Sequence, residues 1–353
     1  MNKNKLLRAM LVASLVLTGC GNSGEEAPKA DENKEAIQTE ESSNMEESKN
    51  EEAKESSDTV KIKDIHGEVE VKKNPKRVVA LDNRTFETLS DFGVKLLAAP
   101  KDVMAKTSPY VSDDSVENIG NHREPNLELL AAADPDFVIV GQRFAKYYDQ
   151  IKELLPNATI VDFSYDVSEK SEHSGENLIN GFKESTLALG QIFEKEDKAQ
   201  ELVDKLDKSI KEAKEAYDGQ SVMSLIVSGG DIGYAAPKSG RVWGPLYEVL
   251  GLKPSLEIEN SSSDHKGDDI SVEAIAESNP HYLFVLDRDQ ATSDAETSTP
   301  AKDVINNSPA LQGLDTIKNN RIYYAPDDTY TNESIQTYTK IFEGLKDLFQ
   351  SEK

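Results

Sequence analysis

The sequence is short of several residue types, and each shortage excludes a class of protein. Cys20 is the single cysteine of the 353 residues, so no disulfide can form within the chain. The formal net charge is -25 and we find no basic face, which excludes nucleic acid as a partner. The length of 353 residues suggests two or three domains, and a hydrophobic content of 37% is enough for ordinary cores but not for a polytopic membrane protein. Arginine is scarce, with 8 Arg against 32 Lys, so each arginine position is informative.

Residues 1–19 have the pattern of a secretion signal. A positively charged start precedes an apolar segment at 9–17, which is too short to span a bilayer comfortably. The segment ends in LTGC at 17–20, which resembles the lipobox of bacterial lipoproteins, where the cysteine becomes the first residue and carries the lipid. The sequence therefore predicts a signal peptide at 1–19 and a lipid anchor on Cys20.

An acidic stretch follows the predicted anchor. Residues 21–58 hold 13 acidic and 4 basic side chains and very few large apolar ones. Such a segment cannot bury enough surface to offset its ordering entropy, so we expect 20–58 to be a lipidated, disordered tether. The expected location is the extracytoplasmic face of the cell membrane, on the surface of a Gram-positive cell.

From Thr59 onward, short apolar strand patterns alternate with helical patterns, as in α/β folds with largely parallel sheets. Two such runs predict two Rossmann-like lobes, at 59–175 and 196–353. Between them a helical pattern extends over 176–217, with a break expected near 194–197. We therefore predict a single long rigid helix at 176–195 that joins the lobes, with a ligand cleft between them.

One unit of sequence occurs twice, as NLELLAAADPDFVIVGQR at 126–143 and SVEAIAESNPHYLFVLDR at 271–288. Each copy predicts a capped helix of about eight residues, a stop before a proline, and a strand that runs back. The identical pairs are Glu128/Glu273, Ala131/Ala276, Pro135/Pro280, Val140/Val285 and Arg143/Arg288.

The geometry of this unit places the helix start and the strand end on the same edge of a lobe. That edge has Glu128 and Arg143 in one lobe, and Glu273 and Arg288 in the other. Because ligands of open α/β sheets bind outside the carboxyl ends of the strands, both arginines are expected to enter one cleft from opposite walls. The alternative is that the arginines are surface residues and the glutamates merely suit a helix first turn.

Three phrases resemble a known family: EPNLELLAAADPDFVIV, SGRVWGPLYEVLGLKP and ISVEAIAESNPHYLFVLDR. Together with the lipobox and the tether, they resemble the substrate-binding lipoproteins of bacterial iron-siderophore ABC importers, which have the class III periplasmic-binding-protein fold. The similarity is closest to the branch that binds ferric catecholates, including the petrobactin type. It implies a monomeric, non-enzymatic protein without a cofactor of its own, which delivers a ferric (Fe3+) siderophore to an ABC permease and its ATPase.

The resemblance also implies roles for individual residues. Arg143, Arg241 and Arg288 match the arginines that line the cleft of that branch, while Glu128 and Glu273 match the glutamates that dock into arginine pockets of the permease. Arginine suits a tris-catecholate complex of up to three negative charges, because it stays protonated, forks two hydrogen bonds and stacks on rings.

Three further ligand-site assignments are less specific. His265 and Tyr330 match a histidine and a tyrosine that can reach the iron when the siderophore leaves coordination sites open. At Tyr330 the match is weaker, since TNESIQ replaces the glycine-rich stretch that often follows. For Trp243 two interpretations stay open, a wall of the cleft and core packing.

Other functions make different demands on the sequence. A haem- or cobalamin-binding protein of the same fold remains an alternative, because the fold does not choose the ligand. A carrier of free zinc or manganese needs three or four converging ligands, and the five histidines have no ligand-like spacing. An extracellular enzyme is disfavoured, because the chain has no G-x-S-x-G, H-E-x-x-H or P-loop motif.

Overall fold

The computed structural model describes residues 58–121, 123–168, 170–293 and 298–351. The predicted signal peptide, the lipid anchor on Cys20 and nearly all of the predicted tether lie outside these residues. None of the helices in the described ranges combines the length and the apolar character that a membrane crossing requires.

The N-terminal lobe is built on a five-stranded parallel sheet, with the order β5-β4-β3-β6-β7, preceded by an antiparallel hairpin of β1 and β2. Its strands are β1 (Thr59–Asp64), β2 (Gly67–Lys72), β3 (Val78–Ala80), β4 (Leu96–Ala99), β5 (Glu117–Asn118), β6 (Phe137–Val140) and β7 (Thr159–Asp162). Its helices are α1 (Phe86–Asp91), α2 (Pro109–Ser112), α3 (Leu127–Ala132) and α4 (Tyr148–Leu154), with 3-10 helices at Lys101–Val103 and Gln142–Tyr147. Apolar side chains cover both faces of the sheet, as a parallel sheet requires.

The C-terminal lobe has a second sheet, with parallel strands in the order β10-β8-β11-β12 and β9 antiparallel to β8. Its strands are β8 (Ser221–Ser228), β9 (Asp231–Tyr234), β10 (Lys253–Pro254), β11 (Tyr282–Asp287) and β12 (Ile322–Tyr324). Its helices are α7 (Gly244–Leu250), α8 (Val272–Ser278), α9 (Arg288–Thr292), α10 (Ala301–Asn307), α11 (Asp315–Lys318) and α12 (Ile335–Gln350). The predicted α/β class with two lobes is confirmed.

Between the strands of the first sheet and those of the second, the chain forms two long helices, α5 (Ser174–Phe193) and α6 (Glu196–Ala216). The predicted break is confirmed, because Glu194 adopts a left-handed conformation with φ 53° and ends α5. The early part of α5, at Leu178 and Phe182, packs in the core of the C-terminal lobe. Its last turns, at Leu189 and Ile192, pack in the core of the N-terminal lobe. The helix thus joins the lobes, while the domain boundaries drawn from the sequence remain a prediction.

The repeated unit forms the same structure twice, as α3 with β6 and as α8 with β11. Asn126 caps α3 by accepting hydrogen bonds from two backbone amides, and Ser271 caps α8 in the same way with one. Each helix is followed by a left-handed residue directly before the proline, Asp134 at φ 45° and Asn279 at φ 44°. The two strands lie inside their sheets, with β6 between β3 and β7 and β11 between β8 and β12. The predicted helix, stop and returning strand are confirmed in both copies.

Candidate ligand-binding cleft

A cavity of about 690 Å³ lies between the lobes, at the carboxyl ends of β6 and β11. Both lobes supply its lining, and Asp102 is the one carboxylate among the described residues that form it. The cationic side chains that line it are Lys101, Lys106, Arg143, Arg241 and Arg288, and His265 lies beside them. Positive charge is therefore concentrated in this cavity, although the chain as a whole is strongly acidic.

The arginine at the end of each copy of the repeated unit lines this cavity. Arg143 follows β6 on the 3-10 helix Gln142–Tyr147, and Arg288 opens α9 directly after β11. Arg241 reaches the same cavity from the loop before α7, where the next residue, Val242, is left-handed with φ 66°. The structure thus brings together the three arginines that the sequence singled out.

Arg143 differs from the other two arginines because it makes no hydrogen bond or ion pair with any described residue. Its Nε is buried without a partner, as are those of Arg241 and Arg288, but only Arg143 also lacks a bond from its terminal nitrogens. Burial, and then the neighbouring Arg241, lower the pKa of the Arg143 guanidinium. A partly buried cation without an ion pair is costly, so this side chain is poised to accept an anion from solution.

Tyr330 lies between the other two arginines. The Arg241 guanidinium is 4.1 Å from the centre of the Tyr330 ring and that of Arg288 is 5.3 Å away. Arg288 also donates a hydrogen bond of 3.1 Å to Ser228 Oγ. The tyrosine is buried and its ring orders both cations through cation–π contacts.

His265 lies on an exposed loop at the margin of the cavity, with its Nδ1 3.5 Å from Asp264 Oδ1. Two backbone hydrogen bonds between Tyr234 and Asp268 fix the loop to β9. The two segments lie so close that a Cβ on Gly233 would come within 1.9 Å of the Lys266 carbonyl oxygen. His265 and Tyr330 thus line one cavity from different parts of the lobe. The part of the chain that the structure describes contains no group of three or more His, Cys, Asp or Glu side chains arranged to hold a metal ion.

Trp243 corrects one expectation from the sequence, since it does not line the cleft. The side chain is 0% exposed and packs in the core of the C-terminal lobe. Its ring centre lies 5.5 Å from that of Phe284 and 6.2 Å from that of Tyr323. Of the two interpretations, core packing is the one that the structure adopts.

We expect Trp243→Phe to leave ligand affinity within about twofold of the wild-type value. The substitution should lower the free energy of unfolding by on the order of 1 to 3 kcal/mol, because it leaves a cavity in the core. Isothermal titration calorimetry and urea denaturation of the variant measure the two quantities. A tenfold loss of affinity in a folded variant would contradict the assignment of Trp243 to the core.

Glu128 and Glu273 occupy equivalent positions on the outer surface. Each is exposed in the first turn of its helix, α3 or α8, two residues after the capping residue. Neither carboxylate lines the cavity. Both are available to a partner that approaches the lobes from outside.

Asp82 is a buried carboxylate that follows β3. It is 1% exposed, and its Oδ1 accepts a hydrogen bond of 3.2 Å from the Arg84 amide. Gly141 allows this arrangement, because a Cβ there would come within 2.5 Å of Asp82 Oδ2. Burial raises the pKa of Asp82 to about 7, although Arg84 opposes the shift.

The raised pKa of Asp82 predicts a pH-dependent stability. An acid whose pKa is higher in the folded state favours folding less as pH rises, so stability should fall between the unfolded pKa near 4 and about pH 7. Asp82→Asn removes this titration. The free energy of unfolding of the variant, relative to wild type, should therefore rise by on the order of 2 to 4 kcal/mol from pH 4 to pH 8.

Urea denaturation at several pH values measures that difference. Asp149→Asn, which removes an exposed carboxylate from α4, is the control for the loss of one charge. A difference between Asp82→Asn and wild type that stays constant from pH 4 to pH 8 would contradict the assigned pKa.

Several charged residues at the site were not identified from the sequence. Lys101 and Lys106 line the cavity, while Arg84 and Glu333 lie buried behind it. The scarcity of arginine could have drawn attention to Arg84. Glu333 lies in the TNESIQ segment, which had been read only as a departure from the family pattern.

A second cavity, of about 450 Å³, lies beside β7 and α5. Its acidic lining, which includes Asp162, Asp166 and Glu184, would repel an anion. The cleft with the arginines is therefore the better candidate for an anionic ligand.

Comparison with known proteins gives a consistent result. Residues 78–329 match a family profile described as "Periplasmic binding protein". The petrobactin-binding protein YclQ of Bacillus subtilis is 28% identical over 98% of this chain and 99% of its own length. The ferric-anguibactin-binding protein FatB of Vibrio anguillarum is 25% identical over 81% of this chain and 86% of its own.

Solved structures agree in fold. The crystal structure of YclQ covers 83% of this chain and 99% of its own, with a TM-score of 0.68 and 26% identity. The siderophore-binding protein BauB, solved with two molecules of acinetobactin and ferric iron, covers 84% of this chain and 100% of its own. Its TM-score is 0.70 at 24% identity, which shows a common fold.

Proposed function

Because this chain belongs to the periplasmic binding protein family, we propose that it captures an anionic ferric siderophore of the catecholate class between its two lobes. It then delivers the complex to an ABC permease and its ATPase. The chain is a binding protein of iron transport and not an enzyme, and the ferric complex is its cargo. The relatives described above include a petrobactin-binding protein and a ferric-anguibactin-binding protein, which supports this class.

The observation that supports this proposal most is the charge of the cavity. Five Lys and Arg side chains and one carboxylate line it, in a chain whose net charge is -25. Such a pocket costs electrostatic energy in the free protein unless an anion offsets it. A ferric tris-catecholate supplies up to three negative charges together with aromatic faces on which guanidinium groups stack.

The remaining parts of the proposal concern delivery and iron contact. His265 and Tyr330 coordinate iron when a bis-catecholate leaves two positions open, since an imidazole and a phenolate suit a ferric ion. Glu128 and Glu273 dock with the permease, and the lipid on Cys20 holds a monomeric protein at the extracytoplasmic face.

Titration of the purified protein with a ligand panel tests the function. We expect tight binding of ferric tris- or bis-catecholates, weaker binding of an uncharged ferric hydroxamate, and none of haem or cobalamin. Absorbance of each ligand and intrinsic fluorescence measure the affinities. Preference for haem or cobalamin over every ferric catecholate would replace the proposed function with the alternative of the same fold.

A further inference from the structure

Glu333 is a buried carboxylate directly behind the cleft. It lies in the loop between β12 and α12, and its side chain is 4% exposed. Its Oε1 accepts a hydrogen bond from Arg241 Nη2, and its Oε2 accepts one of 2.9 Å from Gln142 Nε2. Oε2 also lies 3.8 Å from Arg84 Nη2. The carboxylate therefore contacts one arginine that lines the cleft, Arg241, and one that does not, Arg84.

Glu333 also belongs to a group of hydrogen bonds and one ion pair that joins the lobes behind the cleft. Its partners Arg84 and Gln142 belong to the N-terminal lobe, whereas Arg241 and Glu333 itself belong to the C-terminal lobe. The neighbouring cross-lobe bonds run from Asn332 to Glu87, from Ser334 to Glu87 and from Gln336 to Asp91. These bonds fix the loop that holds Glu333, so the carboxylate cannot readily move away from the cleft.

The contacts of Glu333 determine how Arg241 is presented. Arg241 Nη2 donates to Glu333 and, at 3.2 Å, to the Tyr330 carbonyl oxygen, while its guanidinium stacks on the Tyr330 ring. These contacts restrict the guanidinium to one orientation at the cavity wall. Burial alone would raise the pKa of Glu333, yet Arg241 and Arg84 hold it below its usual value, so the carboxylate is ionised at neutral pH.

We propose that Glu333 is a positioning and specificity-determining residue of the cleft, which orients Arg241 and sets the ligand charge that the site prefers. This inference rests on the proposed function. Arg84, Arg241 and Glu333 together contribute one unit of positive charge behind and beside the ligand. Changing that sum should change the preference between ligands of equal shape and different charge.

Two complexes of one tris-catecholate ligand provide such a pair. The iron(III) complex carries three negative charges and the titanium(IV) complex two, with the same donor atoms around the metal. Glu333→Gln adds one positive unit to the cluster, so the ratio of affinities, iron over titanium, should rise about three- to tenfold. Arg84→Met removes one unit and should lower that ratio by a similar factor, although Arg84 does not line the cavity.

The double variant Arg84→Met with Glu333→Gln restores the original sum, and we expect its ratio to return to within about twofold of wild type. Arg77→Met is the control, because it removes an exposed arginine that pairs with Asp134 on the surface. Its ratio should equal that of the wild-type protein.

The outcomes separate the inference from a purely structural role. An equal loss of affinity for both complexes in Glu333→Gln, at an unchanged ratio, would overturn the proposal. If that variant does not fold, Arg84→Met and the double variant decide. An unchanged ratio in Arg84→Met, or a ratio in the double variant that stays as low as in Arg84→Met, would overturn the proposal as well. A wild-type protein that binds neither complex would refute the proposed function, and this inference with it.

Discussion

Replacing Arg143 by alanine should weaken binding of a ferric catecholate by about 1.5 to 3 kcal/mol, which is a 10- to 150-fold rise in Kd. The reason is that Arg143 has no partner among the described residues, so the substitution removes a ligand contact without breaking an internal one. The free energy of unfolding should therefore stay the same or increase slightly. Arg143→Lys should be intermediate in affinity, since it keeps the charge and loses the forked hydrogen bonds.

We expect the same loss of affinity for Arg241→Ala and Arg288→Ala. Unlike Arg143→Ala, Arg241→Ala should also lower the free energy of unfolding. Arg241→Ala leaves the buried Glu333 with Arg84 at 3.8 Å as its nearest cation, so it should also destabilise the fold. Fluorescence quenching titrations and urea denaturation measure both effects. Lys146→Ala, an exposed cation on the same 3-10 helix as Arg143, should leave Kd unchanged. Unchanged affinity in all three arginine variants would contradict the assignment of this cleft as the ligand-binding site.

Replacing Glu128 and Glu273 together by alanine should abolish uptake and leave ligand affinity intact. Both carboxylates are exposed and lie outside the cavity, so the ligand does not depend on them. A permease that recognises both lobes at once would lose two charged hydrogen bonds. The cost in stability should be small, on the order of 0.3 to 1 kcal/mol for each lost interaction with a helix N-terminus.

Uptake of radiolabelled ferric siderophore by cells that express each variant tests this prediction. Glu153→Ala with Glu277→Ala is the matched control, because it removes two exposed carboxylates from α4 and α8. Normal uptake by the Glu128 and Glu273 double variant would exclude the docking role. A parallel loss in the control would indicate a general effect of surface charge instead.

Local signals explain why the repeated unit could be predicted. Asn126 and Ser271 are capping residues, and Pro135 and Pro280 end the helices, so each copy encodes its own geometry over fewer than 20 residues. The break after α5 was predicted from length, because one continuous helix over 176–217 would be about 60 Å long, and Glu194 does end α5. The positions of Arg143 and Arg288 could be predicted from the repeated unit, because the direction of each strand determines the edge of the sheet at which its arginine lies.

Contacts between distant segments could not be predicted in this way. The bond between Glu333 and Gln142 joins residues 191 positions apart, and neither local pattern indicates it. The position of Trp243 is a similar case, because the packing of Phe284 and Tyr323 around it decides that it is core. Burial of this kind depends on tertiary packing, which overrides local preference.

The two-core packing of α5 has a consequence for cooperativity. Leu178 and Phe182 complete one lobe while Leu189 and Ile192 complete the other, on a helix without an internal break. If either lobe opened fully, the shared helix would lose the part of its burial that this lobe supplies and would no longer support the other lobe. The lobes should therefore melt as one unit, and a fragment cut between them would lack part of its own interior.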